Sequence, residues 1–411
     1  MNTLKKNSFI SDLRLAYANN SRLGLPQKMA QELFLSKGLP KHSDEEYKFF
    51  PIAQYLDRVD INLGLKNNSS TTYQLPENLS ANVITFINGI FSKDHSSIFE
   101  DEIQIKFDTS PYPSEDNDPF DILNLSLAQE VVSISISEGK KIKKPLLINY
   151  INNHDSTSFY NPRWNCHLCK NSDLCILESG NDQPAHFFIN KKTNITVDEG
   201  AKLEYVVLQS GSQNSISVNN SITNISKLAQ VDIFTFTFDG QLVRNNTTLN
   251  IDGEGVNANL HGLYLISNKT IADNHTVVDH RHPNSNSYEL YHGVMDEKSV
   301  GIFNGKIFVR QHSQKTNAFQ SNRNILLSDS ATIHAKPQLE IWANDVKCSH
   351  GCTTGEIDKD ALFYLRSRGI SKESARSLIL FAFSNQVLSK LKNIDIKNYI
   401  EKLVQEKFNR V

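Results

Sequence analysis

The sequence predicts a mainly β protein, a long strand-rich centre between helical ends, and three observations carry that expectation. From about Ala81 to Val346 apolar residues recur with a period of two. Val132, Ile134 and Ile136 alternate with serines, and Leu203-Glu204-Tyr205-Val206-Val207-Leu208 and Ile233-Phe234-Thr235-Phe236-Thr237-Phe238 are rich in residues that suit a pleated, half-buried surface. The expected strands are short and recur roughly every ten residues, with Gly, Asn, Asp and Ser between them. Gly139, Gly200, Gly240, Gly253, Gly262, Gly293 and Gly305 are expected at several of the corners. Finally, no helical pattern interrupts the run for more than about 200 residues, far beyond an ordinary strand–helix alternation. A sandwich, a barrel or a parallel β-helix could each give this pattern. Size favours the solenoid, because a β-helix grows by adding rungs whereas a single sandwich rarely needs so many strands.

Three zones follow: an N-terminal helical region over 1–80, a β core over 81–346 and a C-terminal helical domain over 347–411. In the first, Gln27 to Lys37 places Met29, Ala30, Leu33 and Phe34 at helical spacing, and Gly38-Leu39-Pro40 stops the helix in the usual Gly-then-Pro order. In the last, Asp358 offers an N-cap for Ala361 to Arg368, and Gly369 ends that helix. Ser371 with Glu373 opens a second, whose apolar centre, Leu378 to Phe383, is expected to be covered on more than one side. A third carries Ile396, Tyr399, Ile400, Leu403 and Val404 on one stripe. Packing onto the chain's own core is the bland reading of these stripes; a small module that docks a partner is the sharper one.

Composition narrows the function classes. Hydrophobic residues make up 39% and charged residues 21%, enough apolar material for a sizeable core. Forty-three Lys and Arg against forty-five Asp and Glu leave a formal charge of -2, which removes the broad electrostatic reason to expect nucleic acid or an anionic membrane as partner. The compact apolar stretch Leu378 to Phe383 is far too short for a membrane span. Met1 to Ile10 has no apolar h-region, and five cysteines are an odd count, so a reducing, cytoplasmic location with free thiols is expected. No G-x-x-x-x-G-K-[ST], G-x-S-x-G or dinucleotide fingerprint occurs. No complete catalytic set assembles from the sequence, so a non-enzymatic role is expected.

Lys347-Cys348-Ser349-His350-Gly351-Cys352 is the most informative segment. Extended backbone puts Cys348, His350 and Cys352 on one face, because side chains two apart point the same way. A thiolate and an imidazole so placed suit iron or zinc, or could act as a thiolate and its proton acceptor. A buried Cys and a hydrogen-bonded His at a strand end is the plain alternative. Cys166-His167-Leu168-Cys169, followed by Cys175, has the C-x-x-C spacing of a metal half-site but lacks a second pair, so Cys acting as a small apolar residue is expected there. Among His275, His280, His282, His292, His312 and His334, His280-x-His282 could offer two ligands from one strand face, though structural hydrogen bonding is favoured.

Whole stretches carry more than any single pattern. Phe303-Asn304-Gly305-Lys306-Ile307, Gln314-Lys315-Thr316-Asn317-Ala318, Leu326-Leu327-Ser328, Lys336-Pro337-Gln338-Leu339-Glu340-Ile341, Asp345-Val346-Lys347-Cys348-Ser349-His350-Gly351 and Leu362-Phe363-Tyr364-Leu365-Arg366-Ser367-Arg368-Gly369 form a dense run of family-type motifs. Through them the sequence resembles the SufB/SufD family of iron–sulfur cluster assembly proteins, and within it the SufD branch. Gly38-Leu39-Pro40 and Glu45-Glu46-Tyr47-Lys48 are similar to the family's G-L-P…E-E-W-K-Y element, with Tyr47 where Trp is usual. The resemblance implies a right-handed parallel β-helix core flanked by an N-terminal helical region and a C-terminal helical domain. It implies pairing with SufB through the β-helix ends and docking of SufC, an ABC-type ATPase that binds the ATP, on the C-terminal domain. Leu362, Phe363, Tyr364, Leu365, Arg366, Arg368 and Gly369 are the residues it assigns to that docking. A transient iron–sulfur cluster shared with SufB would meet Cys348 and His350, with His350 the stronger candidate. Cys352 departs from the small residue common in the family, and a packed small residue is favoured over a third ligand. Removing residues after about Asp358 is expected to release SufC and leave the β core folded. A purely structural interaction subunit is the competing reading. A β-helix carbohydrate-active enzyme is disfavoured, since no convincing acidic cluster appears.

Overall fold

A computed structural model of the chain describes residues 9–19, 24–57, 79–108, 118–128, 130–152, 158–182 and 187–408. Two strand stacks make up its centre. The first runs in the order Ile90–Ser97, Asn82–Ile87, Leu146–Asn152, Asp173–Asp182, Lys202–Gln209, Gln230–Thr237, Asn257–Ile266, Asn286–Met295, Thr316–Leu326 and Val346–Gly355. The second runs Thr332–Ile341, Val300–Val309, Ile271–His280, Leu242–Ile251, Ser215–Ile225, Phe187–Val197, Arg163–Leu168, Val131–Ile136 and Ile103–Asp108, with Ser158–Tyr160 pairing beside Phe187–Val197. Neighbours are parallel except at the N-terminal end, where Asn82–Ile87 meets Ile90–Ser97 and Ile103–Asp108 meets Val131–Ile136 antiparallel. In the first sheet Gln230 pairs with Asn257, Asn257 with Asn286 and Asn286 with Asn317, so each circuit of the chain adds one strand to each sheet. The result is a parallel β-solenoid of about seven turns with helices at both ends of the chain.

Left-handed corner residues hold the turns in register. Gly139, Asn171, Gly200, Leu228, Gly255, Asn284 and Lys315 all have φ between 56° and 71°. Each donates its backbone N–H to a carbonyl of the following turn: Gly139 to Lys170, Asn171 to Glu199, Gly200 to Lys227, Leu228 to Glu254, Gly255 to Asn284, Asn284 to Gln314 and Lys315 to Asp345. Gly and Asn tolerate this conformation best, but Leu and Lys occupy it too, because the stacked hydrogen bond compensates the strain. Gly262, Gly293 and Gly305, expected at corners, lie inside strands instead. A Cβ there would come within 2.1 Å of the Tyr291 ring, 2.2 Å of the Tyr264 ring and 2.1 Å of the Gln320 amide. Tyr291 and Tyr264 are the register partners of Gly262 and Gly293 on the neighbouring strand, and Gln320 reaches Gly305 from the other sheet, so these glycines make room for large inward side chains.

The strand alternation sorts side chains into three cores. Inside the solenoid lie Trp164, Ile176, Ile195, Leu203, Val231, Leu260, Tyr291 and Phe303. The outward side of the first sheet, with Val206, Phe234, Phe236, Leu263 and Val294, is covered by C-terminal Leu380, Val387, Ile396, Ile400 and Val404. On the second sheet, Phe159, Phe188, Val218 and Leu242 are covered by Phe9, Ala30, Phe34, Phe50 and Leu56 of the N-terminal segment. Helix Leu25–Lys37 buries only Gln27, Ala30 and Phe34; Met29 and Leu33 of the expected stripe are exposed. The stripe of helix Ile394–Phe408 packs on the chain's own core through Ile396, Ile400 and Val404. Helix Lys372–Leu388 is covered less completely than expected, with Leu380 buried and Leu378 exposed.

Two expectations need correcting. The β run does contain a helix, Pro119–Leu127, capped by Asp118 through the N–H groups of Phe120 and Asp121. It escapes helical periodicity because every residue from Phe120 to Ser126 is buried. Its polar members find partners inside, Asp121 with Lys192 at 2.7 Å and Asn124 with the Asn190 carbonyl at 2.8 Å. The stack also continues past Val346, because Val346–Gly355 pairs along its length with Thr316–Leu326, and helix Lys359–Ser367 begins only after it.

Candidate metal centre at the open end of the stack

Val346–Gly355 is the last strand of its sheet, and among the described residues nothing pairs on its outer side. Register places Cys348 on Ala318, His350 on Gln320 and Cys352 on Asn322, three fully inward positions of the rung below. The expected row therefore exists, on the inward face of the last strand at the solenoid's mouth. Cys348 is half-buried against the interior core, whereas His350 and Cys352 are exposed. Cys352 Sγ donates a long hydrogen bond to Asn322 Oδ1 at 3.6 Å. Burial pushes the Cys348 thiol up, with a backbone hydrogen bond at Ala318 acting the other way, and burial raises Cys352 as well.

The row has a definite chemical reach. Alternate residues of a strand stand roughly 7 Å apart, so Cys348 and His350 can lean toward a shared ion, while Cys348 and Cys352, roughly 13 Å apart, cannot. Cys352 is thus not a third ligand beside Cys348. Two soft or borderline donors at an exposed mouth fit part of an iron–sulfur ligand set, and the remaining ligands would have to come from outside this chain.

The other candidates separate cleanly. Cys166 points inward and burial pushes its thiol up to about 12, while Cys175 donates toward Glu204 Oε1 at 3.7 Å, so the C-x-x-C half-site does not form. His280 is buried against Ser287 Oγ at 2.8 Å, and His282 lies exposed beyond the strand end, so the two do not share a strand face. His292 holds the Phe383 carbonyl at 3.0 Å and stacks on the Phe383 ring. Burial lowers both His280 and His292 to about 4, which keeps them neutral. His334 stacks on Phe49 at 3.9 Å, and His312 is exposed.

The C-terminal candidates lie on helix Lys359–Ser367, which buries none of its residues. Phe363 is 75% and Tyr364 57% exposed, with the Arg368 guanidinium over the Tyr364 ring at 5.4 Å. Leu362 and Leu365 are half-buried, Arg366 is exposed, and Gly369 at φ 86° turns the chain toward Ser371, whose hydroxyl caps the next helix. Two neighbouring exposed aromatics on a firmly capped helix are the composition of a docking surface.

One constellation was not foreseen. Glu46 pairs with His275 at 3.2 Å and with Lys306, Glu45 pairs with Lys336, and the Arg244 guanidinium stacks 3.9 Å from the buried Tyr47 ring while bonding Asp273 at 2.5 Å. The His275 hydrogen bond, aided by Lys306 against the cost of burial, holds Glu46 down to about 2. This latch fastens the Glu45-Glu46-Tyr47 element onto the last turns of the second sheet. Only the element itself was visible in sequence; its partners on the second sheet lie more than 190 residues away, Glu46 and Arg244 being separated by 198.

Among the described residues no helix is long and apolar enough to cross a membrane. Comparison with known proteins agrees with the architecture. Residues 150–383 match the family described as SUF system FeS cluster assembly, SufBD core domain. The iron-sulfur cluster assembly protein SufD of Escherichia coli is 29% identical over 91% of this chain and 90% of its own length. The SufBD family protein slr0076 of Synechocystis sp. is 26% identical over 95% of this chain and 91% of its own. The SufD protein of Bacillus subtilis is 22% identical over 89% and 86%. With more than half of its length matched to the family and its solenoid intact, the chain belongs to the SufBD family of iron–sulfur cluster assembly proteins.

Proposed function

We propose that this chain is a non-catalytic, cytoplasmic subunit of a SUF assembly complex. It pairs with SufB through the open end of the solenoid and docks the SufC ATPase on helix Lys359–Ser367, and a nascent cluster forms where the paired ends meet. The observation that carries this reading is the mouth itself: an unpaired strand edge presenting Cys348 and His350 as half of a ligand set. An exposed edge is normally protected by charge or proline. Thr332–Ile341 has Lys336, Pro337 and Glu340, but Val346–Gly355 carries only Lys347, as a strand waiting for another chain would. The cluster is cargo rather than a resident group: His in place of a Cys ligand suits a cluster that must be handed on. ATP would be bound by SufC, since this chain has no P-loop sequence.

The test is anaerobic co-purification of the chain with its SufB and SufC, wild type and His350→Ala, followed by iron and sulfide analysis. The expected result is an intact complex in both and a loss of cluster in the variant. Equal cluster content would overturn the ligand role and favour the second reading, a purely structural subunit. That reading draws on the raised thiol of Cys348, which is not activated within this chain alone. Failure to form any complex would overturn the pairing.

A further inference from the structure

Several turns away from the mouth, the corner after Arg163–Leu168 gathers a different set of donors. Alternation sends Cys166 and Leu168 into the interior and leaves His167 outside, and Cys169 follows where the chain begins to turn. The next circuit ends its strand at Val197, paired with Leu168, so that Asp198 arrives beside this corner. His167 Nε2 lies 2.9 Å from Asp198 Oδ2, and the donor atoms of His167, Cys169 and Asp198 all fall within 4.8 Å of one another. The nearby Lys170 and Lys227 are both occupied by Glu199, at 3.2 and 3.1 Å. His167 and Cys169 also line a groove of ≈ 850 Å³ on the outer side of the second sheet, which gives an ion a way in.

We propose that His167 Nε2, Cys169 Sγ and Asp198 Oδ2 form a site for a divalent transition-metal ion of borderline softness, the class of zinc(II) and iron(II), with a fourth position open to water. One imidazole, one thiolate and one carboxylate select that class, because calcium and magnesium take oxygen donors. Ligands of a tetrahedral ion stand roughly 3.5 Å apart, so closure needs a movement of about an ångström. His167, 49% exposed, is free to make it. Burial and the carboxylates of Asp198 and Glu138 raise the Cys169 thiol, the mark of a negative field that a cation would relieve. On binding, the thiol releases its proton to water and a sulfur–metal bond forms without any change of oxidation state, so affinity rises with pH. The open position and solvent exposure make the ion exchangeable rather than a structural clamp. The site shares no residue with the mouth, so it stands or falls independently of SufB pairing.

Cobalt(II) titration of the full chain, anaerobic and reduced with a phosphine, reads the sulfur ligand directly through its thiolate-to-cobalt charge-transfer band. The expected result, read in the double variant Cys348→Ser/Cys352→Ser so that the mouth supplies no thiolate, is a band saturating at one equivalent, abolished by adding Cys169→Ser, and weakened more than about tenfold by adding His167→Ala or Asp198→Asn, the scale of loss that even an outer-shell partner causes. Zinc(II) and iron(II) competition then ranks the two ions. A band that survives Cys169→Ser, one that disappears in the double variant, or cobalt binding with no thiolate band would each overturn the assignment. Unchanged far-ultraviolet circular dichroism of Cys169→Ser separates loss of a ligand from loss of fold.

Discussion

The two ends of the solenoid are built to different ends. At the N-terminal end the chain reverses, and the antiparallel strands Ile90–Ser97 and Ile103–Asp108 close the stack with Phe91, Ile98 and Ile105 packed on the interior. The Phe91 and Phe107 rings lie 4.8 Å apart there, and the interior beneath is aromatic, with Phe86, Tyr150, Tyr160 and Trp164. At the other end the strands simply stop. The chain leaves sideways into helices that cover the first sheet, and the mouth keeps Cys348, His350 and Cys352 above Gln320, Asn322 and the buried Glu289. A plug of apolar side chains ends a stack for its own sake, whereas a polar column under an unguarded edge makes sense only if something continues it.

The sharpest way to break this contrast is to place the same charge at both ends. Cys352→Lys sets an ammonium on the mouth at a site exposed in the free chain, so folding should be little affected. Pairing would bury that charge without a partner, a cost of about 3–5 kcal/mol, and co-purification with SufB should be lost. Ser97→Lys, on the exposed edge at the plugged end, should leave the complex intact. Loss of the complex in both variants, or in neither, would remove the asymmetry.

The same asymmetry explains what the sequence discloses. Strands with one face inside and one under a helix, such as Lys202–Gln209 and Gln230–Thr237, announce themselves through β-branched and aromatic residues. Val346–Gly355 does not, because neither of its faces is fully buried within this chain and its composition is that of a loop. Helix Pro119–Leu127 was hidden for the opposite reason, being buried on nearly all sides. Cys348 and His350 were legible as a pair through their spacing, and only the register shows that they stack on the inward positions of the rung below. The His167 cluster was not legible, since Asp198 comes from the next turn, 31 residues after His167. Corners built on Gly, Asn, Leu or Lys in no fixed order leave no repeat from which that turn length could be counted.

The sideways exit of the chain yields the next prediction. Leu380, Val387, Ile400 and Val404 bury Phe234, Phe236 and Leu263, so truncation after Asp358 would uncover an apolar sheet face and leave the β core compromised, contrary to the expectation from sequence. Exposed point changes avoid that. Phe363→Ala with Tyr364→Ala should weaken SufC binding by about 2 kcal/mol for each ring, measured by calorimetry, with no change in thermal stability and no loss of SufB. Unaltered SufC affinity would move the docking surface off this helix.

The polar interior beneath the mouth should carry a pH signature through a buried carboxyl outside any ion pair, whereas the buried carboxyl among the aromatic residues, Glu178, is paired with Lys191. Glu289 is buried one rung below Gln320, accepts hydrogen bonds from Thr276 at 2.7 Å and Gln320 at 3.1 Å, and among the described residues has no cation beside it. Burial pushes it up to about 7, more than those two hydrogen bonds pull it down. Its folded form therefore keeps a proton that the unfolded chain has already lost, so stability falls as pH rises from the ordinary glutamate range to about 7 and then levels off. Glu289→Gln removes that slope: it should raise stability by about 3 kcal/mol at pH 8 and by little at pH 4, read from urea unfolding at both. An equal shift at the two pH values would mean the carboxyl ionises without cost. The column under the mouth would then be as hydrated as the surface, and the solenoid's two interiors would not differ in the way their residues suggest.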